Sequence, residues 1–514
     1  MEVPAPLRRH WVLLATALLF LAAGFLRFYR VTEAVHVDSL LWFKRARYFW
    51  QALAEGDWAA TSRAPHPGVT MMWVAGAVMK LNGSMSAELI DERSLFALKF
   101  LGAMVGTLAA SLTFPLLIAL WGRAQWRPAL LLSVFLTTEP MLIEQSRMAH
   151  LDMAALGFAW LGLLLSVLAY ERGSDAAALG AGALFGLGVL TKLAIALVPA
   201  GLMLILLGTT VRSRLRDRRG LRVAAVATVA ALATAFLLWP VLWHAPLETL
   251  KYVVTTSERV VEAGHRAVVN GRRTNDPGAI YYLKYVFSVT PYEVAAATAL
   301  GSCTWWLLRD LRKHYGWLAL AFVPYLIVIC LAKKKSARYM LPASAVVAVL
   351  ASAGVEWLLR RLPLERRRLQ QVAAGVLVLF TGVGTARAVS SLPSAEYCTK
   401  WPGTEACGRP NNRHFLSSLA KKMGKNWRQR GREGTPRVYG GDPKLMAPWL
   451  RTKAAKSPRS ADYVLLWDSD YVDAEGTQLG KKTRRALGKA KLGKELAVLR
   501  HHGDFVVRLY ARAD

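Results

Sequence analysis

The chain has 514 residues, 54% of them hydrophobic, and a mean hydropathy of +0.27, too apolar for a soluble protein of this size. The formal net charge is +32, but no stacking or phosphate-cradling motif accompanies it, so nucleic acid is not the expected partner. Much of the charge lies in short loops between apolar runs, where Lys and Arg mark the cytoplasmic side of a membrane protein, and attraction to anionic lipid headgroups is its next use.

About eleven apolar runs between Trp11 and Val389 come near the ~20 residues that cross a bilayer. Arg8 and Arg9 precede the first, Trp11 to Phe28, which has the look of a signal peptide without a small-residue cleavage site. It is expected to stay as a signal-anchor helix with the N-terminus cytoplasmic. Residues 29–95 are too polar for one span and form the first external loop. They hold Asp38 with Lys44 and Arg45, an amphipathic piece around Trp42–Ala54, and the sequence His66-Pro67-Gly68. The piece Met71–Leu81 is short for a crossing and is expected to lie in the interface.

With that piece non-spanning, every inside loop is basic. Expected spans 2 (Leu95–Trp121) and 3 (Pro128–Ile143) lead out to Glu144–Asp152. Spans 4, 5 and 6 run to Glu171-Arg172, Thr191-Lys192 and the dense basic loop Arg212–Arg219. Span 7 (Val223–Trp243) precedes a second large external loop, 244–290. Spans 8 and 9 (the latter Trp317–Leu331) lead to Lys333-Lys334-Lys335-Ser336-Ala337-Arg338, span 10 to Arg360 and Arg361, and span 11 covers Val372–Ala388. Treating Met71–Leu81 as a span would put Arg212–Arg219 outside.

Residues 1–389 therefore read as a transmembrane domain and 390–514 as a small, basic, external α/β domain resting against headgroups. Its predicted elements are a helix around Phe415–Trp427 and strands at Asp462–Trp467 and Asp504–Tyr510. Cys303 and Cys330 fall in apolar runs and are expected to be inert. Cys398 and Cys407 bracket a short loop and would pair in an oxidising compartment.

On this map the external face collects Asp38, His66, Glu144, Arg147, His150, Asp152, Lys192, Asp276, Lys333–Lys335 and Arg338. The Lys-Lys-Lys-Ser-Ala-Arg run opposes the positive-inside bias, and a bound anion such as a lipid phosphate would favour it there. Carboxylates beside a lipid-linked phosphate suit group transfer from a phospholipid carrier. One carboxylate deprotonates an acceptor hydroxyl, which attacks an anomeric carbon, and the cations stabilise the departing phosphate.

At these residues the chain resembles a family. The order is Asp38 after span 1, His66-Pro67-Gly68 before the interfacial helix, and Arg147 to Asp152-Met153 after span 3. Then come Gly186-Leu187-Gly188-Val189-Leu190-Thr191-Lys192, Asp276-Pro277-Gly278-Ala279-Ile280-Tyr281-Tyr282 and Arg338-Tyr339-Met340-Leu341-Pro342. This resembles, over about residues 11–390, the phospholipid-carrier-dependent glycosyltransferases of the GT-C group, which include protein O-mannosyltransferases and lipid A aminoarabinose transferases. The resemblance implies a mainly α, polytopic fold with the small α/β domain appended, in a bacterial inner membrane. It also implies a polyprenyl-phosphate sugar donor and a hydroxyl acceptor on protein, lipid or polysaccharide.

It puts Asp38 in the place of the catalytic base of an inverting transfer, and Asp152 is the candidate second acid. Arg338, Lys335, Lys334 and Arg45 are the candidate phosphate ligands, and His66, Arg147 and His150 the candidate substrate contacts. Many relatives have Asp-Glu at Asp38-Ser39, some have Lys-Pro at His66-Pro67, and an acidic residue is expected at Ala337. Because of these departures no cofactor is assigned and a divalent metal stays open; His66 is expected to be structural or to contact substrate rather than to bind metal, since no second His or Cys sits at ligand spacing. Lys192 is expected to snorkel and Asp276 to cap a turn. The alternative is a transporter or flippase of lipid-linked saccharides, although transporters bind near the midplane and the polar groups here collect at one face.

Overall fold

The computed structural model describes residues 5–33, 37–62, 67–213, 216–264, 267–269, 272–274, 278–282, 290, 292–363, isolated positions from 365 to 382, 416–439, 446, 448, 450–456, 460–467, 492–501 and 504–512. Among them, seven helical segments are long and apolar enough to cross a membrane: His10–Glu33, Glu92–Trp121, Asp152–Arg172, Leu193–Arg212, Arg219–Leu238, Arg312–Leu331 and Arg338–Arg361. They fall on expected spans 1, 2, 4, 6, 7, 9 and 10. Span 11, His66, Asp276, Cys398 and Cys407 lie outside the described residues.

The first helices are α1 (Ala5–Phe28), α2 (Val37–Glu55), α3 (Val69–Leu81) and α4 (Glu92–Trp121). At ~1.5 Å per residue α3 is about 20 Å long, short of the ~30 Å hydrocarbon core. It packs instead on α2 and α4 through Met71, Met72, Ala75 and Met79. Asp91 starts α4 by accepting a hydrogen bond from the Ser94 N–H at 2.7 Å.

Next come α5 (Trp126–Thr138), α6 (Pro140–Ser146), α7 (Asp152–Arg172) and α8 (Asp175–Thr191). Expected span 3 is broken. Pro140 lacks an N–H to continue α5, and the Glu139 carboxylate accepts from the Leu142 N–H at 2.6 Å to start α6. Helix α7 is central, its apolar window 83% buried. Then follow α9 (Leu197–Arg212), α10 (Arg219–Leu238), α11 (Val241–His244) and α12 (Pro246–Glu262). Small residues let these helices close on one another. A Cβ on Gly182 of α8 would lie 2.2 Å from the Ala227 carbonyl oxygen of α10.

A short hairpin pairs β1 (Ala267–Val269) with β2 (Arg272–Thr274). The bundle closes with α13 (Tyr292–Thr304), α14 (Arg312–Leu320), α15 (Val323–Leu331) and α16 (Leu341–Arg361). Expected span 8 is thus a 13-residue helix, and Cys303 in it is exposed.

In the C-terminal part, α17 (Leu416–Gln429) packs on a five-stranded mixed sheet in the order β4-β3-β5-β7-β6. The strands are β3 (Arg437–Tyr439), β4 (Lys453–Ala454), β5 (Tyr463–Trp467), β6 (Leu492–His501) and β7 (Asp504–Arg512). The predicted strands are the antiparallel pair β5–β7, in register from Tyr463↔Ala511 to Trp467↔Val507. The buried Tyr463 hydroxyl donates to the Met423 carbonyl at 3.3 Å and reaches Asn426 Oδ1 at 3.0 Å, seating the helix.

Alternate helix ends meet at each pole of the bundle. At one, Gln125, Asp310, Glu356 and Arg360 form a linked polar group, with Arg127 on Glu356 and Lys313 on Glu171 nearby. At the other, the ends of α1, α6, α8 and α15 face the starts of α2, α7 and α16. The described sequence-predicted site residues lie at this pole.

Candidate active site

Asp38 stands in the first turn of α2, where the helix N-terminus favours a carboxylate. Its Oδ2 accepts from Arg338 Nη1 at 3.0 Å, across 300 residues of sequence. The same Nη1 lies 2.8 Å from His150 Nδ1, and Asp38 Oδ2 lies 3.4 Å from that nitrogen. Arg338 Nε points towards Asp152 Oδ2 at 3.9 Å, beyond hydrogen-bond reach, and Asp152 is ion-paired with Lys192. Two carboxylates, one guanidinium, one ammonium and one imidazole thus form a continuous cluster, drawn from α2, the α6–α7 loop, α7, the end of α8 and the turn before α16.

The surroundings explain several motif residues. Gly68 precedes α3 with φ 58° and a Cβ there would lie 2.2 Å from the Trp42 ring, so the left-handed turn and the close approach both require glycine. Its N–H donates to the Thr191 carbonyl at 3.2 Å, and the Thr70 and Thr191 hydroxyls meet at 2.6 Å, tying the α3 start to the α8 end. Lys192 Nζ sits 4.1 Å from the Tyr339 ring centroid.

Beside the cluster is a cavity of about 220 Å³, lined by Lys192, Leu197, Val261, Tyr325, Lys334 and Tyr339 among others, mostly apolar with two lysines in its lining. Arg45 stacks on Trp42 at 4.8 Å. Burial pulls its guanidinium below the usual arginine range, opposed by the nearby Asp38 carboxylate and Tyr252. A second recess, of about 720 Å³, is lined by Leu40, Lys44, Arg47, Gln51 and Ala54 on the other face of α2 and by Lys80, away from Asp38.

Some candidates are placed elsewhere. Lys335 is buried with Nζ donating to the Ile329 carbonyl at 3.0 Å and the Cys330 carbonyl at 2.6 Å. It caps α15 rather than presenting charge to a ligand, as a cation does at a helix C-terminus. Arg147 is 1% exposed and donates to the carbonyls ending α1, away from the cluster. Lys192 does not snorkel: the Asp152 carboxylate holds it. Sequence reasoning did not single out Tyr282, whose hydroxyl accepts from the Ser336 N–H at 3.0 Å and so orders the turn before Arg338. Its signal was the Tyr281-Tyr282 pair closing the Asp-Pro-Gly motif. Among the described residues, no group of three or more His, Cys, Asp or Glu side chains is placed to hold a metal ion.

His150 is buried, which lowers its pKa first, and Arg338 lowers it further against the raising effects of Asp38 and Asp152. Arg338 Nη1 and Asp38 Oδ2 both face Nδ1, and burial together with the guanidinium favours the neutral ring against the two carboxylates. The folded state binds this proton less readily than the unfolded chain, so the stabilising contribution is full above the ordinary histidine pKa of about 6.5 and is lost as pH falls below it. Melting temperature is expected to drop on acidification below about pH 6.5, and His150→Gln, which keeps an acceptor towards Arg338, should remove that part of the drop. An unchanged acid dependence in His150→Gln, followed by a thermal-shift series, would count against it.

The family described as dolichyl-phosphate-mannose-protein mannosyltransferase matches residues 71–239. A search of curated proteins finds no match. Among solved structures, the fold is similar to that of ArnT from Cupriavidus metallidurans bound to undecaprenyl phosphate, at 14% identity and TM-score 0.51, over 97% of this chain and 98% of that one. The archaeal oligosaccharyltransferase AglB from Archaeoglobus fulgidus, in complex with an inhibitory peptide and a dolichol-phosphate, aligns at 13% identity and TM-score 0.46, over 99% of this chain and 75% of that one. The family match thus covers residues 71–239, and over nearly its whole length the chain is similar in fold to the membrane protein ArnT.

Proposed function

We propose that this protein transfers a sugar from a polyprenyl-phosphate donor to a hydroxyl acceptor at the external face of the bacterial inner membrane, with inversion and with Asp38 as general base. The observation that carries this is Arg338. Its guanidinium is only 27% exposed, lies between two carboxylates, and keeps a buried Nε–H without a hydrogen-bond partner. A buried unsatisfied donor is costly, and a phosphate oxygen arriving from the neighbouring cavity would satisfy it. The apolar walls of that cavity suit a polyprenyl tail, with Lys334 and Lys192 at the headgroup end.

In the resting arrangement Arg338 occupies Asp38. When the donor phosphate takes the guanidinium, the Asp38 carboxylate is released to accept the proton of the acceptor hydroxyl. The oxygen forms a bond to the anomeric carbon as the anomeric carbon–oxygen bond to phosphate breaks, and polyprenyl phosphate leaves with the electron pair. Its new negative charge falls on Arg338 and the lysines. Because attack and departure occur on opposite sides in one displacement, the anomeric centre inverts. Sidedness rests on the other pole, where Arg123, Arg127, Arg172, Arg212, Arg219, Arg360 and Arg361 accumulate as cytoplasmic loops do.

The test is turnover by purified protein in lipid, offered radiolabelled polyprenyl-phosphate sugars and a crude envelope fraction as acceptor pool. One donor should be consumed, releasing polyprenyl phosphate and forming a product of inverted linkage. If every donor survives, the enzyme reading fails and movement of lipid-linked saccharide across vesicles is the next assay.

A further inference from the structure

We infer that Arg147, together with Lys99, is a positioning residue that fixes the Asp38 carboxylate by clamping the connector between α1 and α2. This rests on the reading of Asp38 as the base. The described part of that connector, residues 29–33, follows a membrane helix and precedes the helix bearing Asp38. Its Arg30, at φ 54°, is the one non-glycine residue in the left-handed region among the described residues. Such a conformation persists when its surroundings enforce it.

Here Arg147 Nη1 donates to the carbonyls of Leu26 at 3.1 Å and Tyr29 at 2.6 Å, and Nη2 to that of Arg30 at 3.3 Å. Lys99 Nζ, fully buried on α4, donates to the Val31 carbonyl at 2.6 Å. The Leu26 and Tyr29 carbonyls at the end of α1, the Val31 carbonyl, and that of Arg30, which also accepts from the Glu33 N–H at 3.1 Å, are thus held by Arg147 and Lys99.

The clamp joins both halves of the site. Arg147 lies three residues before His150 and five before Asp152, so the residue that grips the Asp38 connector also begins the loop carrying Asp38's neighbours. The loop is fixed from behind as well. Arg27 Nε donates to Ser146 Oγ at 3.2 Å, and its other nitrogens donate to the Leu136 and Thr137 carbonyls at 3.0 and 3.3 Å. Gly106 of α4 makes room for this, since a Cβ would lie 2.6 Å from Ser146 Oγ and 2.9 Å from Arg27 Nε. Burial pulls the Arg147 pKa down to about 10, which leaves it a cation at neutral pH. A lysine at 147 would keep the charge without the fork that reaches several carbonyls at once.

The experiment compares full-length wild type with Arg147→Ala and Arg147→Lys in lipid, by two readouts. In hydrogen–deuterium exchange, Arg147→Ala should raise exchange about tenfold or more in residues 29–42 and leave the middle of α4 unchanged. No rise there, or an equal rise throughout the bundle, would overturn the clamp without reference to activity. In donor turnover per folded molecule, kcat should fall about 100-fold in Arg147→Ala, as misplacement by ~1 Å can cause. Carrier-phosphate binding should change by less than about threefold, and Arg147→Lys should recover about tenfold of the lost rate. In an Asp38→Asn background, Arg147→Ala should cost less than about threefold more, because the group it positions is already gone. A full further 100-fold loss there would assign Arg147 a role unrelated to Asp38. Wild type that consumes no donor would sink the functional reading, and the exchange result would then decide the clamp alone.

Discussion

Asp38→Asn is expected to reduce sugar transfer by about 10³-fold or more while donor binding survives. General-base catalysis contributes ~10²–10⁴-fold, and the substitution removes both the proton acceptor and its charge with almost no change of shape. Binding should hold or tighten, because Arg338 loses the carboxylate that occupies its Nη1 at 3.0 Å and is left freer for phosphate. The check is a paired measurement on one preparation: polyprenyl phosphate released per minute, and equilibrium binding of the labelled donor. Activity within tenfold of wild type would remove Asp38 from the base position, leaving Asp152 as the remaining carboxylate of the cluster. Loss of binding alongside activity would mean that Asp38 holds the site together instead.

Much of this architecture is legible in the sequence because the membrane imposes a length and a sidedness. Apolar runs near 20 residues mark the helices, and loop charges place Asp38, His150, Asp152 and Arg338 at one pole although they are up to 300 residues apart. What sequence does not reveal is which cation each carboxylate or carbonyl takes. Lys333, Lys334 and Lys335 are identical in type, yet the bend after α15 turns Lys335 back onto that helix's carbonyls and leaves Lys334 at the cavity. Arg147 looked like a substrate ligand because the external face was read as solvated, whereas the end of α1 is buried against α4 and α6 and its carbonyls require donors. The break in span 3 was written in Glu139-Pro140, a cap followed by a residue without an N–H, and was masked by the apolar residues on either side. Strand β6 was missed because its Lys, Glu, Arg and His residues alternate with too few β-branched ones to stand out.

Arg338→Ala is expected to act on two observables at once. The first is donor affinity. A guanidinium fork on a phosphate forms two charge-assisted bonds of ~1.5–3 kcal/mol each, so binding should weaken by about 10²- to 10⁴-fold at ~1.4 kcal/mol per tenfold. Arg338→Lys should fall between, since Lys keeps a point charge and loses the planar fork. The second observable is His150. Arg338 is the nearby charge that most lowers its pKa after burial itself. Removing Arg338 leaves the imidazole facing Asp38 and Asp152, whose carboxylates favour protonation. The loss of stability that His150 contributes on acidification should therefore shrink in Arg338→Ala and reverse once its folded pKa passes the ordinary histidine value, whereas a general loosening that exposes His150 to water only returns it to that value and cancels the contribution. Titrating the His150 ring by NMR in both proteins separates these outcomes. A pKa that rises past the ordinary histidine value supports a guanidinium that both receives the donor phosphate and keeps the imidazole neutral. An unmoved pKa together with unchanged donor affinity would place Arg338 outside the chemistry, as a strut between α2 and α7.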